Sequence, residues 1–530
     1  MAVFALALAV RLVGIDWGLP NKERHYPYHP DEFLNLAIAN YQTNPFAGDF
    51  SPGFYNYPPL PFYLFSAVYH GAQAYGFVAT PSRDATDEDR AEFHASLLRI
   101  GRWLVAMFGA LTCLLTFALG ARWLPIWAAA MGAAALAVAP GFLMHSRFQT
   151  VDVMSAFFVA ACLWQTAKLA EDPTAGKRLV FAALCAAAAA GCKYNLAVVL
   201  IAPISAIWLQ GQAKPRVKAV RTLLLALFFT IGFLALCPGV WLEFGQFWKD
   251  FTFELRHAQE GHGLVFVDTG PGWLYHLDPN LTAGFGGALL LASAIGLAGL
   301  ARQKEAVGAL LFFAIFFVLL GFAQIRFMRY LLPLFPILAL GVGNALTVAT
   351  RLLTDGRSGM KPTGLALVVV ALGGIAHTAA MGYAWTQVML DHDPRYQAKV
   401  ALEEHDSGSI AFVKDPWFYT PPLFPQSGAL TMQDRQVGLV DRPYLIAMAP
   451  PEWNVHALRE KRPEWVVISE FEYFDDERLR LPDCIEFMKE LKAAYDLAFA
   501  FGKKGGLLPK NPPHDMLYVY PEVRLYRLKR

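Results

Sequence analysis

Two adjacent carboxylates offer the clearest chemistry in this chain. They lie in His29-Pro30-Asp31-Glu32-Phe33, just after the first hydrophobic segment, and open a predicted helix from Asp31 to about Tyr41. A carboxylate beside a membrane surface is the type of group that acts as general base for sugar or acyl transfer. The same residues also suit an ordinary helix start, where acidic side chains satisfy free N–H groups and complement the dipole. The surroundings have to separate these two readings.

Further ionisable residues gather at the ends of hydrophobic runs. Asp152 starts the run 151–169 and follows His145-Ser146-Arg147, so it caps that helix, pairs with Arg147 or serves a site. Lys193-Tyr194 separates two hydrophobic runs. Arg326 and Arg329 are spaced to share one helical face. These three cations are either anchors reaching for headgroups or the makings of an anion site opposite the acidic residues. His257 and His262 follow Glu254 in a second polar stretch. Their His-x4-His spacing chelates poorly on one helix, where facing neighbours are three or four apart. Hydrogen bonding to a headgroup or sugar suits them better, and a divalent metal on Asp152, His257 and His262 is the weaker alternative.

What must position these residues is a bundle of membrane helices. Of 530 residues, 55% are hydrophobic and 17% charged, and the mean hydropathy is +0.35. A soluble globular chain of this size does not need so much apolar surface, and here it comes in long runs. The runs lie near 1–15, 98–119, 124–143, 151–169, 179–192, 195–210, 219–239, 284–301, 306–323, 329–350 and 363–385. They predict about eleven transmembrane helices, several of them short for a hydrocarbon core of about 30 Å. Met1 to Ile15 carries Arg11 and has neither a basic start nor a small-x-small cleavage pattern, so it reads as a short first span. The stretch 58–78 begins Pro58-Pro59-Leu60-Pro61 and holds Tyr63, Tyr69, His70, Gln73 and Tyr75. It predicts an interfacial helix lying on the membrane rather than a span.

Charge placement sets the orientation. With 58–78 outside the count and the N-terminus cytoplasmic, nearly all basic loop clusters fall inside. These are Arg122; Lys168, Lys177 and Arg178; Lys214, Arg216, Lys218 and Arg221; Arg302 and Lys304; and Arg351, Arg357 and Lys361. Outer loops 16–97 and 240–283 then share a face with the C-terminus. From about Asp391 the composition turns mixed polar. Strands are predicted over 410–413, 465–468, 495–501 and 516–528, with helices around 394–405, 452–461 and 483–494. Residues 1–390 thus read as a membrane domain and 391–530 as a soluble outer α/β domain of about 140 residues. Of six cysteines only Cys484 lies away from the hydrophobic runs, and no CxxC spacing occurs, so neither a disulfide framework nor a thiolate metal site is indicated. No basic stripe interleaved with aromatics supports nucleic-acid binding.

An outer-loop Asp-Glu pair after the first span resembles the GT-C glycosyltransferases, in particular the protein O-mannosyltransferase and lipid A aminoarabinose transferase group (glycosyltransferase family 39-like). The similarity extends to Tyr57-Pro58-Pro59-Leu60, Ser146-Arg147-x4-Asp152, Gly191-Cys192-Lys193-Tyr194 and Arg329-Tyr330-Leu331-Leu332-Pro333-Leu334-Phe335-Pro336. The resemblance implies an integral, multi-pass enzyme of a bacterial inner membrane that transfers a hexose or pentose from a polyprenyl-phosphate donor at the outer face. The acceptor would be a protein, lipid or glycan. On this resemblance Asp31 is the general base of an inverting transfer, and Glu32 orients the acceptor or the base. Arg329, Arg326 and Lys193 bind the donor phosphate, and Asp152, Tyr57, Tyr194, His257 and His262 contact substrate. No cofactor is implied beyond an optional divalent metal. Two other classes compete. A transporter or flippase of lipid-linked sugars calls for inverted repeats and charges near the midplane, neither of which is visible. A scaffold would keep its function with both carboxylates neutralised.

Overall fold

The computed structural model describes the whole chain except residues 173, 210–212, 355–357 and 406–407; Arg357 of the basic clusters lies outside the described residues. Among the described residues, seven helices are long and apolar enough to cross a membrane: Asp87–Trp123, Asp152–Glu171, Pro215–Leu236, Gly272–Leu300, Lys304–Phe322, Met328–Thr354 and Lys361–Glu404. Shorter apolar helices are α1 (Ala2–Leu12), Ile126–Val138 and the segment Tyr194–Leu209. The helix Phe335–Thr354 is buried almost throughout and forms the centre of the bundle. Small residues let its neighbours approach closely, as in membrane packing generally. A side chain on Gly296 would collide with the Gly341 carbonyl, and one on Gly132 with that of Ala339. In contrast, Pro215–Leu236 exposes Leu223, Leu227 and Ile231, as a helix facing lipid would.

The loop over 16–97 folds onto the bundle through two short helices, α2 (Pro30–Ala37) and α3 (Leu60–Ala74). α2 opens at Pro30, whose fixed φ and missing N–H suit the first helical position, and runs on as a π turn through Gln42. α3 differs from the expectation for 58–78. Instead of lying on a surface it buries Leu60, Phe62, Tyr63, Phe65, Ser66 and Tyr69 within the protein. Its polar groups are satisfied there too: Ser66 donates to the Thr43 carbonyl at 2.7 Å and Tyr63 to that of Phe50 at 2.7 Å. Of the tyrosines that suggested an interface, Tyr63 and Tyr69 hydrogen-bond within the protein, while Tyr75 is exposed. The amphipathic helix is instead Phe244–Glu260 in the loop over 240–283, with Phe244, Trp248 and Phe253 exposed. Its acids face inward, where Asp250 accepts from the Tyr55 N–H at 2.9 Å and Glu254 from Asn56 at 2.7 Å. The next helix, α4 (Asp87–Trp123), begins eleven residues before its apolar run, behind a capping box of Thr86 and Asp89.

Beyond residue 391 the chain forms a five-stranded mixed sheet in the order β2-β1-β3-β5-β4. Its strands are β1 (Ile410–Phe412), β2 (Leu445–Ala447), β3 (Trp465–Ser469), β4 (Tyr495–Phe501) and β5 (Val523–Leu528). β1 pairs in parallel with β2 and β3, and β5 runs antiparallel to β3 and β4. β3 is buried on both faces, with Trp465 and Val467 in one core and Val466 and Ile468 in the other. The strand expected over 516–528 is found only at 523–528. His514–Val519 forms a 3-10 turn that leaves the sheet and reaches the bundle. Three further elements had no expectation: β2 and the helices Met432–Val440 and Glu470–Arg478. They are too short, or too evenly polar, to show a period.

Candidate active site

Asp31 and Glu32 leave the same helix turn in different directions. The free N–H of Asp31 is met by the imidazole of His29, whose Nδ1 accepts it at 3.3 Å. Burial, and then the Arg329 charge, hold His29 well below its usual range, so the ring is neutral and able to accept. Histidine is therefore the cap, and the Asp31 carboxylate is left free of that task. Its Oδ2 stands 3.3 Å from Arg329 Nη2, and its side chain keeps 29% of its surface exposed.

Glu32 is closed on every side. Arg102 of α4 grips it with two parallel bonds, Nε to Oε1 at 2.8 Å and Nη2 to Oε2 at 2.6 Å. The Gln149 N–H adds a third at 2.7 Å, and both side chains of the pair are fully buried. Arg102 also donates to the carbonyls of Ile15 and Trp17 at 2.7 and 2.6 Å. Glu32 thus ties α2, α4 and the 146–151 turn together. It has no face left for an acceptor and can orient only the turn that carries Asp31.

Asp31 lines a small polar cavity with Asn35, Tyr57, Thr150, Val151, Asp152, Lys193, Arg329 and Tyr330. Lys193 is ion-paired with Asp152, and its ammonium stands 4.2 Å from the centre of the Tyr330 ring. Burial, followed by the Asp31 charge, pushes the Tyr57 phenol well above its usual range, so it faces the cavity protonated. Among the described residues, Arg329 Nη1, Thr150 Oγ1 and Asn35 Oδ1 are buried without a hydrogen-bond partner. Three unmet polar groups on the wall of one cavity suit a ligand that supplies both acceptors and a donor. Tyr57, Lys193 and Tyr330 also line a larger, mostly apolar cavity of about 320 Å³, walled by Tyr194, Phe251, Leu255 and Leu320 among others. A small polar cavity lined by Arg329 and Lys193 thus sits beside a larger apolar one.

The remaining candidates stand farther out. Arg326 is absent from both linings; its Nη1 donates to Thr269 Oγ1 at 2.7 Å and to the Gly270 carbonyl at 2.6 Å, which fastens the loop over 240–283. Tyr194 donates to the Tyr55 carbonyl at 3.0 Å on the wall of the apolar cavity. His262 lies 3.5 Å from His257 and packs edge-on to Phe327 at 5.4 Å, and that ring carries the Arg329 guanidinium at 4.4 Å. These histidines are outer walls, one ring removed from the small polar cavity. The residues do not fit a metal. Asp152 already holds an ammonium, and among the described residues no group of three or more His, Cys, Asp or Glu side chains is placed to bind an ion.

Residues 94–241 match the family model described as Dolichyl-phosphate-mannose-protein mannosyltransferase. Among solved structures, ArnT from Cupriavidus metallidurans shares the fold with a TM-score of 0.50 and 16% identity, over 99% of this chain and 97% of ArnT. The likeness to ArnT extends over nearly the whole of both chains and is one of fold. The Archaeoglobus fulgidus oligosaccharyltransferase aligns over 95% of this chain and 73% of its own, at 13% identity and a TM-score of 0.47. No curated protein matches the sequence significantly. Seven helices among the described residues are long and apolar enough to cross a membrane, in keeping with that fold. The site also contains groups that the sequence did not single out: Asn35, Thr150 and Tyr330 in the cavity, and Asp515 and Tyr518 behind it. Asn35 is one helical turn after Asp31, a spacing that places both on one face. The last two carried no signal, since only the fold brings residue 515 to residue 329.

Proposed function

We propose that the protein transfers a sugar from a polyprenyl-phosphate donor to an acceptor hydroxyl or amine at the outer face of the membrane, with inversion. The observation that carries this reading is the Asp31–Arg329 pair in a cavity with unmet polar groups, beside an apolar groove. The polyprenyl chain lies in the groove and its phosphate meets Arg329 and Lys193. Asp31 takes the proton of the acceptor as its oxygen or nitrogen attacks the anomeric carbon. The bond from that carbon to the phosphate oxygen breaks, and the phosphate leaves with the electron pair. Preorganised cations stabilise the charge that develops on it. A neighbour of the same fold, ArnT from Cupriavidus metallidurans, has been solved bound to undecaprenyl phosphate, which supports the donor class.

On this reading residues 1–390 form the catalytic membrane domain with about eleven spans, the shorter apolar helices among them. Residues 391–530 are an outer domain, and the N-terminus is cytoplasmic in a bacterial inner membrane. Protein, lipid and glycan acceptors all fit the chemistry.

The test uses purified protein in lipid, a panel of polyprenyl-phosphate sugars, and release of free polyprenyl phosphate as the readout. Wild-type turnover that collapses in Asp31→Asn, with donor binding retained, is expected. Equal turnover in both proteins removes Asp31 from the mechanism. A donor that binds and crosses the bilayer unchanged replaces transfer with transport.

A further inference from the structure

We infer that the C-terminal segment Pro513–Tyr520 is built into the phosphate site, with Asp515 and Tyr518 as positioning residues for Arg329. The inference rests on the transferase reading above. Arg329 sits at the start of the 3-10 turn Met328–Leu334, and the residue before that turn, Phe327, offers no side-chain cap. A helical start leaves its first N–H groups without partners. Asp515 supplies them from 187 positions away: Oδ1 accepts from Met328 at 3.2 Å and Oδ2 from Arg329 at 2.8 Å. Its carboxylate is fully buried, and the ionisable side chain found beside it is His145, at 3.6 Å. Burying a carboxylate is costly unless donors meet it, so this placement ties the segment to that turn and to no other.

Tyr518 lies one turn further on and completes the arrangement. Its ring packs edge-on to His29 at 4.9 Å, while its phenol faces the Arg329 charge. Phe471 stacks behind it at 5.6 Å and 9°. Its carbonyl accepts from Arg395 Nη2 at 2.9 Å, and Arg395 is itself gripped by Asp393 and laid 3.7 Å over the Tyr28 ring. One end of the base–cation pair is therefore set by Asp515, through the backbone of Arg329. The other is set by Tyr518, through the imidazole that caps Asp31. A segment from the end of the chain fixes the gap between the residue that takes a proton and the one that holds the phosphate. Displacements near 1 Å in such pairs cost roughly 100-fold in rate.

The experiment uses the full chain in lipid nanodiscs with undecaprenyl phosphate as probe. It compares wild type, Asp515→Ala, Tyr518→Phe and a surface control, Asp441→Asn. Binding, donor turnover and backbone hydrogen exchange of the peptide over 327–332 are measured together. Asp515→Ala is expected to speed exchange at Met328 and Arg329 about tenfold or more and to weaken undecaprenyl-phosphate binding by a similar factor. Tyr518→Phe keeps both ring contacts and loses the phenol; it is expected to weaken binding with no change in unfolding temperature, while the control matches wild type. Unchanged exchange in Asp515→Ala overturns the inference. So does unchanged binding in both variants, and so does weaker binding that merely follows a lowered unfolding temperature in Asp515→Ala while Tyr518→Phe binds normally. Wild-type protein that binds no undecaprenyl phosphate defeats the donor reading instead, and exchange still reports whether Asp515 holds the turn.

Discussion

Asp31 and Glu32 are neighbours of the same chemical kind, each facing an arginine, and their surroundings give them opposite fates. Glu32 meets Arg102 through two short parallel bonds in a fully buried corner, with a backbone donor added. Asp31 meets Arg329 through one longer contact of 3.3 Å and keeps an open side toward a cavity. A carboxylate whose lone pairs are all engaged by fixed donors is a brace. One with a single loose partner that a ligand can draw away is available for proton transfer. The largest expected effect follows from breaking the open corner. Asp31→Asn should lower turnover at least about 100-fold, the usual worth of a positioned base, and leave the unfolding temperature within a degree or two of wild type. Release of polyprenyl phosphate and a thermal melt in the same lipid check both halves.

Breaking the closed corner should reverse the pattern. Glu32→Gln leaves the Arg102 charge buried without its counter-ion, a change that costs on the order of 3–5 kcal/mol. The unfolding temperature should fall clearly, and turnover should fall with it because the turn bearing Asp31 loses its anchor. A protein that melts like wild type but turns over slowly would instead make Glu32 a participant in the chemistry.

The two arginines near the loop over 240–283 sharpen the contrast at a smaller scale. Arg329→Lys removes the planar fork and the unmet Nη1, and is expected to weaken undecaprenyl-phosphate binding about tenfold. Arg326→Lys loosens Thr269 and Gly270 on the loop and should leave that binding within about twofold. Equal losses in both would mean that Arg326 reaches the ligand after the loop moves. Equilibrium binding to nanodiscs distinguishes these outcomes.

How much of this was legible depends on what each residue advertises. Asp31, Asp152, Lys193 and Arg329 stand out because an ionisable group at the end of an apolar run is expensive, and the structure brings all four to one cavity. Tyr57 joins them there, named through a resemblance in the Pro-Pro segment. Arg326 advertised itself equally well, yet it turns to a loop, since a spacing of three shares a face only where both residues are helical and Arg326 lies in non-helical chain ahead of the turn that carries Arg329. Buried arginines such as Arg11 and Arg147 were visible as charges but not as braces. Arg11 donates to Ser146 at 3.1 Å, and Arg147 to the Val10 carbonyl at 2.8 Å, both across contacts that no local pattern encodes. Tyr518 lay within an expected strand, and Asp515 just before it. Period-2 apolar residues over 516–528 could not reveal that the first half packs against the bundle and only the second half joins the sheet.

A third carboxylate completes the comparison and carries the smallest effect. Glu472 in the outer helix Glu470–Arg478 is buried like Glu32, but backbone donors meet it: the N–H of Ser469 at 2.7 Å and that of Lys414 at 3.3 Å. The Lys414 ammonium pairs instead with Glu452 at 2.8 Å and Asp476 at 3.4 Å. Without a cation of its own, Glu472 is pushed up by burial from 4.5 to about 7. The folded state then holds a proton that the unfolded chain has already released between these two values. Its contribution to stability is complete below about pH 4.5, declines as the pH rises through this window and is gone above about 7. Unfolding of the full chain between pH 5 and 8, with hydrogen exchange over residues 465–478 as the local readout, should show protection falling as the pH rises. Glu472→Gln, neutral throughout, should flatten that slope. A slope that survives the substitution assigns the pH dependence to another group. A wild-type profile already flat would mean that the Lys414 charge neutralises Glu472 as Arg102 neutralises Glu32, and the distinction between a braced and an unbraced buried carboxylate would fail at this position.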